Sequence, residues 1–108
     1  MTATATRPSY GPGENAEVTT VLRNRSSTPC SYNGYTVEVT FRDAAGAAFG
    51  GGSIVADTFR PVPLAAGATL THTEPWRHIF QPAGPHTGTA TWQSAGNRYE
   101  ATASFQLT

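Results

Sequence analysis

No window of about a dozen residues in this chain repeats its apolar side chains at helical spacing without a Gly or Pro breaking it. A chain punctuated this way offers no amphipathic helix, so its backbone hydrogen bonds have to be made between strands. The period that does recur is two. Along residues 35–42, Val37, Val39 and Phe41 alternate with Thr36, Glu38, Thr40 and Arg42, giving one apolar face and one wet face. The alternation returns near the C-terminus. There Ala90 and Trp92, then Tyr99, Ala101, Ala103, Phe105 and Leu107, keep to one side.

Turn residues divide the chain into extended runs at 2–7, 15–25, 35–42, 47–49, 54–59, 68–76, 87–93 and 98–107. Tyr10-Gly11-Pro12-Gly13-Glu14 introduces the second run. Asp43-Ala44-Ala45-Gly46 reads as a type I turn with Asp first and Gly last, and Ser94-Ala95-Gly96-Asn97 closes the final hairpin. Gly50-Gly51-Gly52-Ser53 reads as a flexible hinge, 60–63 as an extended connector, and 64–67 and 78–86 as loops. Pro75 cannot donate to a ladder, so it needs an edge strand, a bulge or a strand end. Seven to eight short strands at this spacing predict an all-β fold, an immunoglobulin-like antiparallel β-sandwich filling residues 1–108 as one domain. The single cysteine, Cys30, leaves it without an internal disulfide. The core is expected from Val18, Leu22, Val37, Val39, Phe41, Leu70, Trp92, Tyr99, Phe105 and Leu107.

Charge narrows the partners. Seven basic residues, all Arg, balance seven acidic ones, which gives no electrostatic footprint for nucleic acid or an anionic membrane. No segment reaches the ~20 apolar residues of a membrane span. No compartment is assigned; a bacterial cytoplasm and a secreted or cell-envelope setting both suit a soluble chain. His72, His78 and His86 are too widely spaced for a local metal motif and read as solvated surface residues, so no metal is expected. No cofactor is expected either. The carboxylates Glu14, Glu38 and Asp43 each have a turn or a wet strand face to serve. Gly50-Gly51-Gly52-Ser53 lacks the Lys-Ser/Thr ending of a phosphate loop, and no Gly-x-Ser-x-Gly elbow is present. Asn24-Arg25-Ser26 matches the N-glycosylation sequon formally. No catalytic residue is assigned. The aromatics at strand ends and in loops, Tyr10, Tyr32, Tyr35, Phe59, Trp76 and Phe80, suit plugs for the open ends of a sandwich, a sugar-stacking platform or interface anchors.

Several of these pieces fall in a familiar order: Tyr10-Gly11-Pro12-Gly13-Glu14 with its strand to Asn24, the strand at 35–42 with its Asp43–Gly46 turn, and Leu64-Ala65-Ala66-Gly67-Ala68-Thr69-Leu70 leading to Trp76. Gly88-Thr89-Ala90-Thr91-Trp92 closes the series. The order resembles the BsuPI-type intracellular proteinase inhibitor family over nearly the whole chain, and bacterial Ig-like sandwich domains more generally. The resemblance implies an Ig-like sandwich without enzymatic activity.

The expected function is therefore a non-enzymatic protein-binding module, with proteinase inhibition through exposed loops as its most concrete form. Phe59-Arg60-Pro61 or Ile79-Phe80-Gln81 would supply the side chain inserted by strand-like pairing. The long Gly-rich and Pro-rich segments 48–53 and 78–86 motivate this reading. Partner-binding residues are then Phe59, Arg60, Trp76, Ile79 and Phe80, with a protease among the protein partners considered. An accessory or spacer domain of a larger surface or secreted protein is the alternative, as is a carbohydrate-binding module using Trp76. The chain is expected as a monomer or a weak dimer paired edge to edge through its first strand.

Overall fold

A computed structural model describes residues 1–56, 60–77, 81–94 and 96–108. Its strands are β1 (Thr2–Ala5), β2 (Ser9–Tyr10), β3 (Asn15–Arg23), β4 (Cys30–Tyr32), β5 (Tyr35–Arg42), β6 (Ala48–Ala56), β7 (Val62–Leu64), β8 (Thr69–Arg77), β9 (Gly84–Ser94) and β10 (Asn97–Leu107). One sheet has the order β1-β3-β8 and the other β2-β10-β9-β5-β6, with β4 and β7 forming a separate short pair. Naming β1, β3 and β8 as A, B and E, and β10, β9 and β5 as G, F and C, reproduces the two layers of an immunoglobulin domain. All pairings among the described strands are antiparallel except β2 with β10, which is parallel. The seven longer strands match the predicted number. The very short β2, β4 and β7 bring the described total to ten.

The alternation seen in the sequence organises the larger sheet into rungs. Ile54, Val37, Trp92 and Tyr99 stand side by side across β6, β5, β9 and β10. Below them run Gly52, Val39, Ala90 and Ala101, then Gly50, Phe41, Gly88 and Ala103. These rungs face the smaller sheet, and Val37, Val39, Phe41, Ala90 and Trp92 are buried. Gly88 keeps the layers close. A Cβ there would lie 2.8 Å from Val18 Cγ2, so a larger residue would push β3 away. From the opposite layer Ala16, Val18 and Thr20 complete the interior, and Tyr10 closes the lower end against Phe105 with rings 5.6 Å apart and edge-on. The Tyr10 hydroxyl accepts from the Arg7 and Glu17 amides and donates to the Glu17 carbonyl.

The turn chemistry matches its prediction. Asp43 accepts from Gly46 N through its carbonyl and from Ala45 and Ala47 N through Oδ1, while Gly46 takes a φ of 85°. Pro75 sits on β8, an edge strand, opposite Glu17.

Three expectations are corrected. The Gly50–Ser53 hinge does not exist, because β6 runs through it unbroken from Ala48 to Ala56. The glycines are there for cross-layer packing. A Cβ on Gly50 would fall inside the Trp76 indole, and one on Gly52 would meet the Glu74 carboxylate. The segment 48–53 is accordingly a strand and not an exposed loop. Second, the described histidines are not solvated. His86 is 2% exposed, its Nδ1 on the Gly84 carbonyl and its ring against Phe49 and Phe105. His72 pairs with Glu74 at 2.9 Å, both largely shielded at the seam between β6 and β8. Third, Tyr99 is 43% exposed although it occupies an inward rung, while Leu22 and Leu70 only flank the core.

Candidate functional site at the upper end of the sandwich

The strand registers give the molecule two ends. At the upper end β3 and β9 finish and β5, β8 and β10 begin; at the lower end lie the 11–14 and 43–47 turns. Sequence reasoning grouped Arg60 with Trp76, but the structure separates them. Arg60 is exposed at the upper end, beyond Ala56 of β6. Trp76 lies near the lower end of β8, opposite Ala16. Its indole packs edge-on against Phe49 at 4.6 Å and tilts over Phe41 at 6.2 Å, which fills the bed left by Gly50. Phe59, Ile79 and Phe80 fall outside the described residues.

A different set gathers at the upper end. The large apolar side chains exposed among the described residues are Ile54, Val55 and Tyr99. Ile54 and Tyr99 are the two ends of the rung centred on Val37 and Trp92. Val55 is 70% exposed and begins the adjacent outward rung, which continues through Thr36, Gln93 and Arg98. That outward rung lines a shallow hollow of about 590 Å³ together with Asn33 and Asn97. Tyr35 forms its inner wall, stacked on Trp92 with ring centroids 5.1 Å apart and braced edge-on by Tyr32. The Ser94 hydroxyl donates to the Gly34 carbonyl at 2.7 Å, tying the loop ahead of β5 to the end of β9.

The neighbouring loops are held by one buried amide. Asn24 Nδ2 donates to the Thr28, Leu64 and Ala65 carbonyls, and its Oδ1 accepts from Ser26 N and Oγ. The formal sequon therefore has its amide nitrogen committed inside the fold. A rigid base carries a surface of amides, hydroxyls, one aromatic and one exposed aliphatic side chain. Such a surface suits recognition, since Tyr, Ser, Gly and Asn supply adaptable contacts at low entropic cost. No group of three His, Cys, Asp or Glu side chains able to hold a metal occurs among the described residues. Sequence reasoning missed Val55, Gln93 and Asn97 because each reads locally as an ordinary strand residue. Only strand order brings them together.

No family model matches the chain, and no curated protein matches it in sequence. Among solved structures it is similar to the CARDB domain of a Pyrococcus furiosus protein, crystallised in complex with di-metal ions. That match has a TM-score of 0.59 and 16% identity, covering 99% of this chain and 86% of that one. A second similarity, at a TM-score of 0.48 and 18% identity, is to an alkylpurine DNA glycosylase of Pseudomonas fluorescens bound to DNA containing an abasic site analog; it covers 97% of this chain and 28% of that one. The first likeness bears out the Ig-like sandwich. It carries nothing for the proteinase-inhibitor family, which these comparisons do not show.

Proposed function

We propose that this chain is a non-enzymatic, accessory Ig-like binding module that engages a protein partner through the upper end of the sandwich. One observation carries the reading: the large apolar side chains exposed among the described residues, Ile54, Val55 and Tyr99, all lie at that end. Contiguous exposed apolar patches rimmed by polar residues mark interaction sites. By topology this is also the end where variable immunoglobulin domains carry their B–C and F–G recognition loops. Here the B–C connection spans residues 24–34 and includes β4, and Gly96 precedes β10 on the F–G side.

A photo-crosslinking amino acid at Val55 or Asn97 tests the reading in an extract of cells that produce the protein. The same protein species should be trapped from both positions, and none from Ala44 in the lower-end turn. Equal trapping from Ala44, or none from the upper end, would refute it. Proteinase inhibition is the narrower form of the proposal. It requires that micromolar protein slow subtilisin-type or trypsin-type hydrolysis, and unchanged hydrolysis would remove it.

A further inference from the structure

The upper end is also open between the two layers. Tyr99 points inward from β10, but the shorter sheet does not cover it. Beside it lies a slot of about 440 Å³ lined by Leu22, Leu64, Cys30 and Met1 together with the exposed Arg23 and Arg25. This volume falls in the range of roughly 300–1,000 Å³ that holds small ligand groups. An adjoining hollow of about 390 Å³ shares Arg23, Arg25 and Ser26. Arg23 and Arg25, both exposed, thus line the slot and the hollow beside it.

Neither arginine takes part in an ion pair among the described residues, where the pairs are Arg7–Glu14, His72–Glu74 and Arg98–Glu100. Asn24 lies between them in sequence, and its buried amide fixes the backbone from which both side chains extend. Two cations with no carboxylate partner among the described residues, set beside apolar walls, complement an anion joined to an apolar body. Guanidinium forks match planar carboxylates in particular. The zero net charge of the chain supplies no broader basic field for a polyanion.

We infer that the slot receives a peptide segment of the protein partner in which an apolar side chain is flanked by a carboxylate. The side chain enters between Leu22, Leu64 and Tyr99, and the carboxylate meets Arg23 and Arg25. This inference rests on the upper-end reading proposed above and specifies the chemistry of its partner.

Cys30, the single cysteine, lines the slot and is exposed, so it reports occupancy directly. The probe is the fluorescein-labelled, C-terminally amidated peptide Gly-Ser-Asp-Phe-Ser-Gly, with companions carrying Asn for Asp or Ser for Phe. Fluorescence anisotropy should show saturable binding, weakened about fivefold or more in each companion, the scale of losing one partly exposed charge-assisted contact. Arg23→Gln and Arg25→Gln should weaken the parent peptide similarly while leaving the thermal unfolding midpoint unchanged, since both side chains are exposed. Saturating peptide should also slow alkylation of Cys30 by iodoacetamide. The inference is overturned by absence of saturable binding up to about 1 mM. It is equally overturned by binding indifferent to the Asp→Asn and Arg→Gln changes, by an unprotected Cys30, or by octanoate protecting Cys30 where the peptide does not. Any of these results leaves the Val55 and Asn97 cross-linking free to succeed, so the two ideas fail separately.

Discussion

Removing the Thr20 hydroxyl should unlatch the two layers of the sandwich. Trp92 Nε1 donates to Thr20 Oγ1 at 2.9 Å, and both residues are essentially inaccessible at 1% and 0%. This bond joins β3 to β9, the strands that correspond to B and F, which antibody domains link with their disulfide. Thr20→Val preserves shape but leaves the indole N–H buried and unpaired, a penalty of about 1–3 kcal/mol. It also removes the weaker 3.4 Å bond from Thr20 Oγ1 to the His72 carbonyl. At about 2 kcal/mol, the melting temperature should fall by roughly 8 °C for a domain of this size. Thr20→Ser, which keeps the acceptor and loses a methyl, should cost about 1 kcal/mol. Trp92→Phe is destabilising by itself through the volume it removes, yet it also removes the donor. The double variant should therefore be more stable than the summed single effects by about 1–2 kcal/mol. Urea unfolding followed by far-ultraviolet circular dichroism measures all four corners of the cycle. Thr20→Val within about 0.5 kcal/mol of the parent, or additivity within that margin, would refute the argument.

Other outcomes follow from the same packing. Gly50→Ala should cost about 1–3 kcal/mol by overpacking against Trp76, and the displaced indole should shift the fluorescence maximum; an unchanged urea midpoint and spectrum would contradict the seam. Asn24→Ala should destabilise by about 2–3 kcal/mol in urea, because it withdraws a donor from the Thr28, Leu64 and Ala65 carbonyls at once. Tyr99→Ser should cost under about 1 kcal/mol, whereas Phe105→Ala should cost about 3–5 kcal/mol. The same unfolding assay would reveal a reversed order, which would mean that Tyr99 is covered after all.

What could be read from the chain alone was the part governed by neighbours in sequence. Side chains alternate across a strand by covalent geometry, so Val37, Val39 and Phe41 announced their burial without any knowledge of what covers them. Turn chemistry is local for the same reason, and Asp43 and Gly46 do what their types predict. The Ig-like sandwich followed from these two signals.

Other assignments needed partners distant in sequence. Gly50 and Gly52 look like a hinge until Trp76 and Glu74, on a strand from the other layer, occupy the space their missing side chains leave. Tyr99 fits the apolar alternation of β10, yet the opposite sheet is too narrow to cover it. His86 reads as a surface histidine until Phe49 and Phe105 enclose its ring. The upper-end surface depends in the same way on strand order, which aligns Val55, Thr36, Gln93 and Arg98 from β6, β5, β9 and β10. Period and turn residues thus determined which side chains face inward. Tertiary packing decided which of those are covered, because cover comes from a layer distant in sequence.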